Sequence, residues 1–327
     1  MRFFQIITLF LLAQCVFGQN PYYYSIDKTN GLPSNSVYDI FQDSKGFMWF
    51  ATGKGLCRYD GSVFKTFTSD IQTSKSGSCI NEDSFGRIWY SNFDGYLYCV
   101  ENGVLKNLPQ KESVGYIKYG LIKDKLFLLQ SKSLIVYDLR TLQPIHSYPL
   151  SDDGIKSTFT ANSKFYLIGK QIYEIDYPNK IKTHPITEDF RKTLEIPIVQ
   201  KWNDEFFMVS KFSNHYYTYK ENQLSKKKFN NSFDLIQNLA VIDNLPWLCT
   251  PNGVIKYENE KATTYFSDFN VSFIFKDKQQ NYWISTVNSG LLFIQDFKNN
   301  FIPLCPKPTF FSPYGNQLLV GTENDII

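Results

Sequence analysis

From Val37 to Gln42 the side chains alternate in character, Val37, Asp39 and Phe41 against Tyr38, Ile40 and Gln42, and a period of two marks a strand. Asp43-Ser44-Lys45-Gly46 interrupts it as a turn, because Asp bonds its own backbone and Gly accepts a positive φ. Residues 47–52 resume as a second strand, and Gly53-Lys54-Gly55 is a tight link. Residues 56–59 form a third strand, and Asp60-Gly61 turns it into a fourth over residues 63–67. Four short strands joined by polar turns predict one small antiparallel sheet.

The pattern then recurs. Asp83-Ser84-Phe85-Gly86-Arg87-Ile88-Trp89 repeats the phrase from Asp43 to Trp49 at a distance of 40 residues. Later copies are fainter but keep phase. Trp49 stands eleven residues before Asp60, Phe127 eleven before Asp138, Phe165 eleven before Asp176 and Trp247 eleven before Glu258. The successive anchors are Trp49, Trp89, Phe127, Phe165, Phe206, Trp247, Trp283 and Leu319, spaced by 40, 38, 38, 41, 41, 36 and 36 residues. The middle copies shorten the first turn to Asp124-Lys125, Asn162-Ser163-Lys164, Asn203-Asp204-Glu205 and Asp243-Asn244, all sound hairpin chemistry. One such sheet alone would expose two apolar faces, and copies stacked around an axis cover each other. The expected fold is therefore all-β: a β-propeller of seven four-stranded blades, with the start of an eighth repeat at the C-terminus. For ring closure, residues 22–26 occupy the phase of a fourth strand for the blade near residues 271–294, and residues 301–304 compete for the same edge. The pattern leaves that choice open.

Composition agrees with strands. Aromatic residues make up 17% of the 327 residues, with 29 Phe and 22 Tyr. The net charge of +3, or +2 once Arg2 is removed, is too weak to imply nucleic acid, and the one basic run, Lys226-Lys227-Lys228, reads as a solvated loop. Arg2, the apolar run of residues 3–13 and the small residues near Gly18 read as a secretory signal peptide. Gln14 argues against lipidation at Cys15. The expected organisation is a signal peptide over residues 1–18, a propeller over 19–305 and a further repeat beginning over 306–327, in an exported, periplasmic chain with no membrane span. Five cysteines remain after the leader, Cys57, Cys79, Cys99, Cys249 and Cys305, with no C-x-x-C. They read as small buried strand residues, with a disulfide between neighbouring blades as the alternative.

The run Gly31-Leu32-Pro33-Ser34-Asn35-Ser36-Val37, followed by Asp43-x-x-Gly46-x-x-Trp49-Phe50-Ala51-Thr52-x-x-Gly55-Leu56-x-x-Tyr59-Asp60-Gly61, closely resembles the two-component regulator propeller repeat. The resemblance is strong in the first unit, good in the second and over residues 277–292, and weak between them. It implies the extracytoplasmic part of a large exported sensor, of the kind common in Bacteroidetes. In that family two seven-bladed propellers usually precede a triple-tyrosine β-sandwich, a membrane helix and an output such as a histidine kinase or a helix-turn-helix regulator. None of these later parts is in the chain, which therefore reads as a truncated sensor with no kinase activity of its own. A homodimer formed through the downstream domains belongs to the same expectation.

Chemistry is sparse. His146, His184 and His215 have no metal-ligand neighbours at fixed spacing, and no nucleophile elbow, phosphate loop or H-E-x-x-H occurs. Asp152-Asp153 reads as a solvated pair, and the Asp-x-x-Gly turns lack the oxygen ligands of a calcium loop. No catalytic residue, metal or cofactor is expected. Trp49, Trp89, Trp247 and Trp283 share one repeat phase and read as packing between blades rather than as sugar platforms. In a propeller, the links between second and third strands share one face with the links between blades, and ligands often use that face. Here it would carry Asn30, Ser34, Asn35, Lys54, Asn92, Asp94, Asn252, Asn288 and Ser289. These are the candidate ligand-binding residues; as plain turn formers they would need no ligand. The expected function is a non-catalytic sensing propeller, with an oligosaccharide or other small extracellular molecule as ligand by family analogy. A secreted protein-binding scaffold and a propeller lyase or glycosidase are the alternatives.

Overall fold

The computed structural model describes residues 20–110, 118–130, 133–151, 154–179, 181–193, 197–212, 214–220, 223–230, 233, 235–297, 308–314 and 317–322. Expectations for the leader, Asp152-Asp153, Cys305 and residues 301–304 lie outside these.

The alternating phrases become sheets. Seven four-stranded antiparallel sheets follow one another as blades 1 to 6, over residues 37–67, 77–107, 119–149, 157–184, 197–228 and 238–265, and blade 7 over 271–294. Blade 7 takes its fourth strand from the other end of the propeller: Tyr24–Ile26 pairs with Leu291–Ile294, Tyr24 opposite Phe293 and Ile26 opposite Leu291. This resolves the competition for that edge in favour of the N-terminal segment and closes the ring. Residues Tyr23–Gln295 form one compact unit. In a second unit, Pro308–Tyr314 and Gln317–Thr322 pair as a two-stranded hairpin.

Each anchor occupies the same place in its blade. Trp49, Trp89, Phe127, Phe165, Phe206, Trp247 and Trp283 lie on the second strand, opposite Phe41, Asn81, Gly120, Thr160, Lys201, Ala240 and Phe275 of the first. Because side chains alternate along a strand, neighbouring residues face opposite blades. Trp49 and Ala51 pack with Ile88 and Tyr90 of blade 2, while Met48 and Phe50 pack with Trp283 of blade 7. Met48–Thr52 is accordingly buried along its whole length. Close approach fixes small residues too. A side chain at Gly120 would meet the Phe165 ring of blade 4 at 2.7 Å.

Polar bonds repeat with the anchors. The carboxylate of the turn Asp accepts the indole N–H six residues on, Asp43 from Trp49 and Asp83 from Trp89 at 2.7 Å, and Asp277 from Trp283 at 2.9 Å. Its other oxygen accepts backbone N–H groups of the turn, as Asp43 does from Lys45 and Phe47. The Asp-x-x-Gly turns are thus turn formers that also fix the Trp. In blade 2, Arg87 adds an ion pair to Asp83 at 2.7 Å and donates to the Leu139 carbonyl of blade 3.

Cys57, Cys99 and Cys249 are buried free thiols. Burial pushes the Cys57 thiol up to about 12 and the Cys99 thiol to about 11. Lys226-Lys227-Lys228 is not a loop, as expected above, but part of the outer strand Gln223–Lys228 of blade 5. An outer edge strand with exposed lysines resists pairing with another chain, which explains a basic run inside a strand.

Candidate functional site

The links expected to share a face do so, and they are tied to one another. The Asn35 carbonyl accepts from Gly290 at 2.8 Å, the Ser36 carbonyl from Gly53 at 2.9 Å, the Ser76 carbonyl from Phe93 at 3.0 Å and the Asn270 carbonyl from Val287 at 2.9 Å. Each bond joins the link entering a blade to the link between a second and third strand. Together they form a rim around the inner strands.

Most of the nine expected binding residues spend their polar groups within this rim. The Asn30 side chain caps a short 3₁₀ turn, Lys28–Asn30, by accepting from Asp27 N–H at 3.0 Å. Asn35 Oδ1 accepts from Lys28 N–H, and Ser34 Oγ from Ser36 N–H. Asn92 is buried, accepting from Tyr96 N–H and donating to the Ser74 carbonyl. Asp94 accepts from the Thr73 hydroxyl. Ser289 bonds Thr286 and Asn288. Lys54, Asn252 and Asn288 are exposed, and with Ser289 they stand on blades 1, 6 and 7.

A second set of polar side chains stands at the start of the first strands. The residue immediately before the first strand is Ser36, Ser76, Lys118, Lys156, Gln237 and Asn270 in the six blades where that position is described, polar every time. Lys118 donates to the Ile155 carbonyl of the next blade's approach at 2.5 Å, and Lys156 to the Arg191 carbonyl at 3.2 Å. Burial lowers the Lys118 amine below the usual lysine range. Gln237 donates to Asn270. Arg191 belongs to helix α1, Glu188–Thr193, whose Phe190 is buried edge-on against Tyr217 at 4.9 Å.

Aromatic surface joins this polar ring between blades 1 and 2. Tyr38 is the residue skipped by the register of the first strand, since Val37 opposes Thr52 and Asp39 opposes Ala51. The resulting bulge turns its ring onto Phe93 of blade 2, with centroids 5.0 Å apart and the rings edge-to-face. Phe93 is 41% exposed. Below them Asp39 crosses to blade 2, accepting from Ile40 N–H at 2.9 Å and Ile80 N–H at 2.7 Å. Desolvation raises its carboxyl to about 6 despite these bonds. Tyr119 of blade 3 continues the chain of contacts, donating to the Cys79 carbonyl and accepting from Asn81 at 3.1 Å.

The sequence reading missed the inner ring and the Tyr38–Phe93 pair. A usable signal exists for the ring: in the three copies with the long turn, Ser36, Ser76 and Asn270 each stand thirteen residues before the anchor Trp. The Trp anchors are not exposed here; Trp49, Trp89, Trp247 and Trp283 are all buried. The three histidines lie away from the inner strands, His146 and His184 on outer strands and His215 on a third strand.

Residues 31–54 match the family model described as two component regulator propeller. The chain carries a two-component regulator propeller repeat. No curated protein matches it. Among solved structures it is similar to the extracellular domain of a putative hybrid two component system from B. thetaiotaomicron, at 18% identity and a TM-score of 0.68, covering 92% of this chain and 47% of that one. A putative one component system from the same organism has a similar extracellular domain, at 18% identity and a TM-score of 0.65, covering 84% and 40%. The chain thus spans less than half the length of either of these two chains. Virginiamycin B lyase from Staphylococcus aureus, in a catalytically inactive histidine-to-alanine form with quinupristin, matches at 13% identity and a TM-score of 0.66, covering 83% and 98%. At these identities the likeness is one of fold. It is a propeller like those extracellular domains, and among the described residues no helix is long and apolar enough to cross a membrane.

Proposed function

We propose that this chain is the extracytoplasmic, non-catalytic sensing propeller of a two-component signalling protein, and that its ligand binds at the rim around the inner strands. The Tyr38–Phe93 pair carries the reading. An aromatic edge-to-face pair, part exposed, sits on a rim where Phe93 N–H bonds the Ser76 carbonyl, the Ser76 hydroxyl bonds the Gly53 carbonyl, and the exposed Lys54 follows Gly53 in the chain. Aromatic faces flanked by such groups suit saccharides, whose C–H faces stack while their hydroxyls bond. An oligosaccharide is therefore the ligand class. The Arg2-led leader supports export into the periplasm, and the phase of Leu319 in Gln317–Thr322 supports a further propeller repeat from residue 306.

The test is calorimetric titration of the secreted chain with oligosaccharide pools, repeated on Tyr38→Ala and Phe93→Ala. Taking the about 1–3 kcal/mol that one aromatic ring contributes to stacking on a nucleic-acid base as the scale, affinity should fall roughly ten- to hundredfold. Heat from no pool, or undiminished heat from both variants, overturns the reading.

The lyase neighbours favour a second reading, an enzyme on the same rim. Against it stands the position of the histidines, all on third or outer strands. Turnover of any bound pool by the purified chain decides between the two.

A further inference from the structure

On the face away from the rim, blades 1 and 2 part around a cleft of about 340 Å³, bounded by the turns at Asp43–Phe47 and Phe85–Arg87 and by Asn102-Gly103. Trp49, Arg58 and Lys65 form one row across three strands of blade 1, Trp49 opposite Arg58 and Arg58 opposite Lys65. Directly opposed residues project on the same side of a sheet. All three therefore face the cleft. Arg58 lies 4.4 Å over the Phe47 ring, and Lys65 Nζ 5.2 Å over Phe67. Phe85, Ile88 and Val100 line the blade 2 wall.

The carboxylates around this cleft are engaged. Asp43 serves its own turn and Trp49. Glu82 accepts from Ser44 N–H and hydroxyl, and Glu101 pairs with Lys106 and Arg87. Asp60, just beyond Arg58, accepts from Ser62 and Val63 in its own turn. The cations are not so engaged. Among the described residues, Lys45, Arg58 and Lys65 form no ion pair within 4.0 Å; Arg58 acts on Asp60 only as the smallest cause of that carboxyl's lowered value, and Arg58 Nε is buried with no hydrogen-bond partner. Like charges directly opposed on adjacent strands destabilise a sheet, and a buried guanidinium N–H needs an acceptor. An anion between Arg58 and Lys65 offsets the repulsion and offers an acceptor to the guanidinium edge that lines the cleft.

We infer that this cleft is a second binding site, for a ring-sized organic anion. Its carboxylate or sulfate is held by the Arg58 fork and the Lys65 ammonium, and its ring lies between Phe47 and Phe85. A planar fork matched to a two-oxygen acid favours Arg in this role. The site is independent of the ligand proposed at the rim.

The test titrates the folded chain with benzoate, glucuronate and inorganic sulfate at low and high salt, for the native chain, Arg58→Gln and Lys65→Gln. A ring acid should bind one to one, lose about tenfold in affinity in each variant, and weaken with salt because exposed charges are screened. Benzoate against glucuronate separates an aromatic acid from a sugar acid as the natural class. Without ligand at low salt, Lys65→Gln should melt higher than the native chain, since the repulsion is gone. Lys65 is exposed, so this variant serves even if Arg58→Gln fails to fold. Binding of none of the probes, equal binding to Lys65→Gln, or sulfate binding as tightly as both ring acids overturns the proposal.

Discussion

The Trp49 indole nitrogen lies 2.7 Å from Asp43 Oδ2, and both residues are buried between blades 1 and 2. The carboxylate thereby joins two tasks: it shapes the turn with one oxygen and orients the core ring with the other. A buried acid with its acceptors filled is stable; one that loses a donor is not.

Replacing Trp49 by Phe should therefore cost more than lost area. We expect about 2–4 kcal/mol, combining a cavity with an unsatisfied carboxylate oxygen. Asp43→Ala should be similarly harmful, and the double variant less so than the sum, with a coupling of about 1–2 kcal/mol. Urea unfolding of the four proteins checks this. Strict additivity would show that the bond is incidental.

Blade 7 departs from the repeat where Gly46 and Gly86 stand, because Gln280 takes that turn position at φ 72°. The turn is otherwise the same, with Gln280 N–H bonded to the Asp277 carbonyl at 3.0 Å. A side chain in the left-handed region is strained, by about 1–2 kcal/mol. Glycine relieves the strain but has more freedom to lose on folding. Gln280→Gly should on balance raise stability by about 0.5–1 kcal/mol, read as a higher melting temperature. An unchanged or lower value would mean that the Gln280 side chain compensates.

Closure of the ring concentrates on the same blade. Gly290 has φ 76°, donates to the Asn35 carbonyl at 2.8 Å, and leaves no room for a Cβ beside the Ile26 carbonyl. Across the seam Gln42 donates to Gln279 at 3.0 Å and accepts from Lys278 N–H at 2.8 Å. Gly290→Ala should strain the backbone and push Tyr24–Ile26 away. We expect a loss of about 2–3 kcal/mol and faster hydrogen exchange at Ser25 and Ile26. Protection unchanged at those amides would place the closure elsewhere.

The architecture was legible because repetition multiplies a weak signal. One Trp says little, but Trp49, Trp89 and Trp283 in equal phase fix the second strand of three blades, and Phe127 and Phe165 carry it through copies that lost the turn glycine. Closure was not legible, since any alternating segment near either end satisfies the same edge. The rim was half legible. Link residues such as Asn35 and Ser289 were placed on the correct face, because link position follows from strand order. Their side chains, however, were already committed to local bonds that no pattern displays. The inner ring escaped because its distance to the anchor shrinks from thirteen residues at Ser36 to nine at Lys118, as turn and bulge vary. Tyr38 meets Phe93 only through a bulge, and bulges leave no mark in hydrophobic alternation.

Asp39 makes stability depend on pH in a direction opposite to most carboxylates. Its native carboxyl is raised to about 6 from an ordinary value of 3.8, with burial as the main cause and the Ile80, Ile40 and Cys79 amides opposing it. The folded state therefore holds this proton more tightly than the unfolded chain does. Stability from this group is full below about pH 4 and declines as pH rises to about 6, where the native carboxyl ionises. Two pKa units correspond to at most about 3 kcal/mol. Asp39→Asn removes the titration while keeping one acceptor for the backbone amides. The difference in unfolding free energy between the native chain and this variant should shift against the native chain between pH 4 and pH 7, then level off. Other carboxylates cancel in that difference. Parallel curves across the range would show that Asp39 is ionised at no cost, and that the amides of blade 2, rather than burial, set its charge.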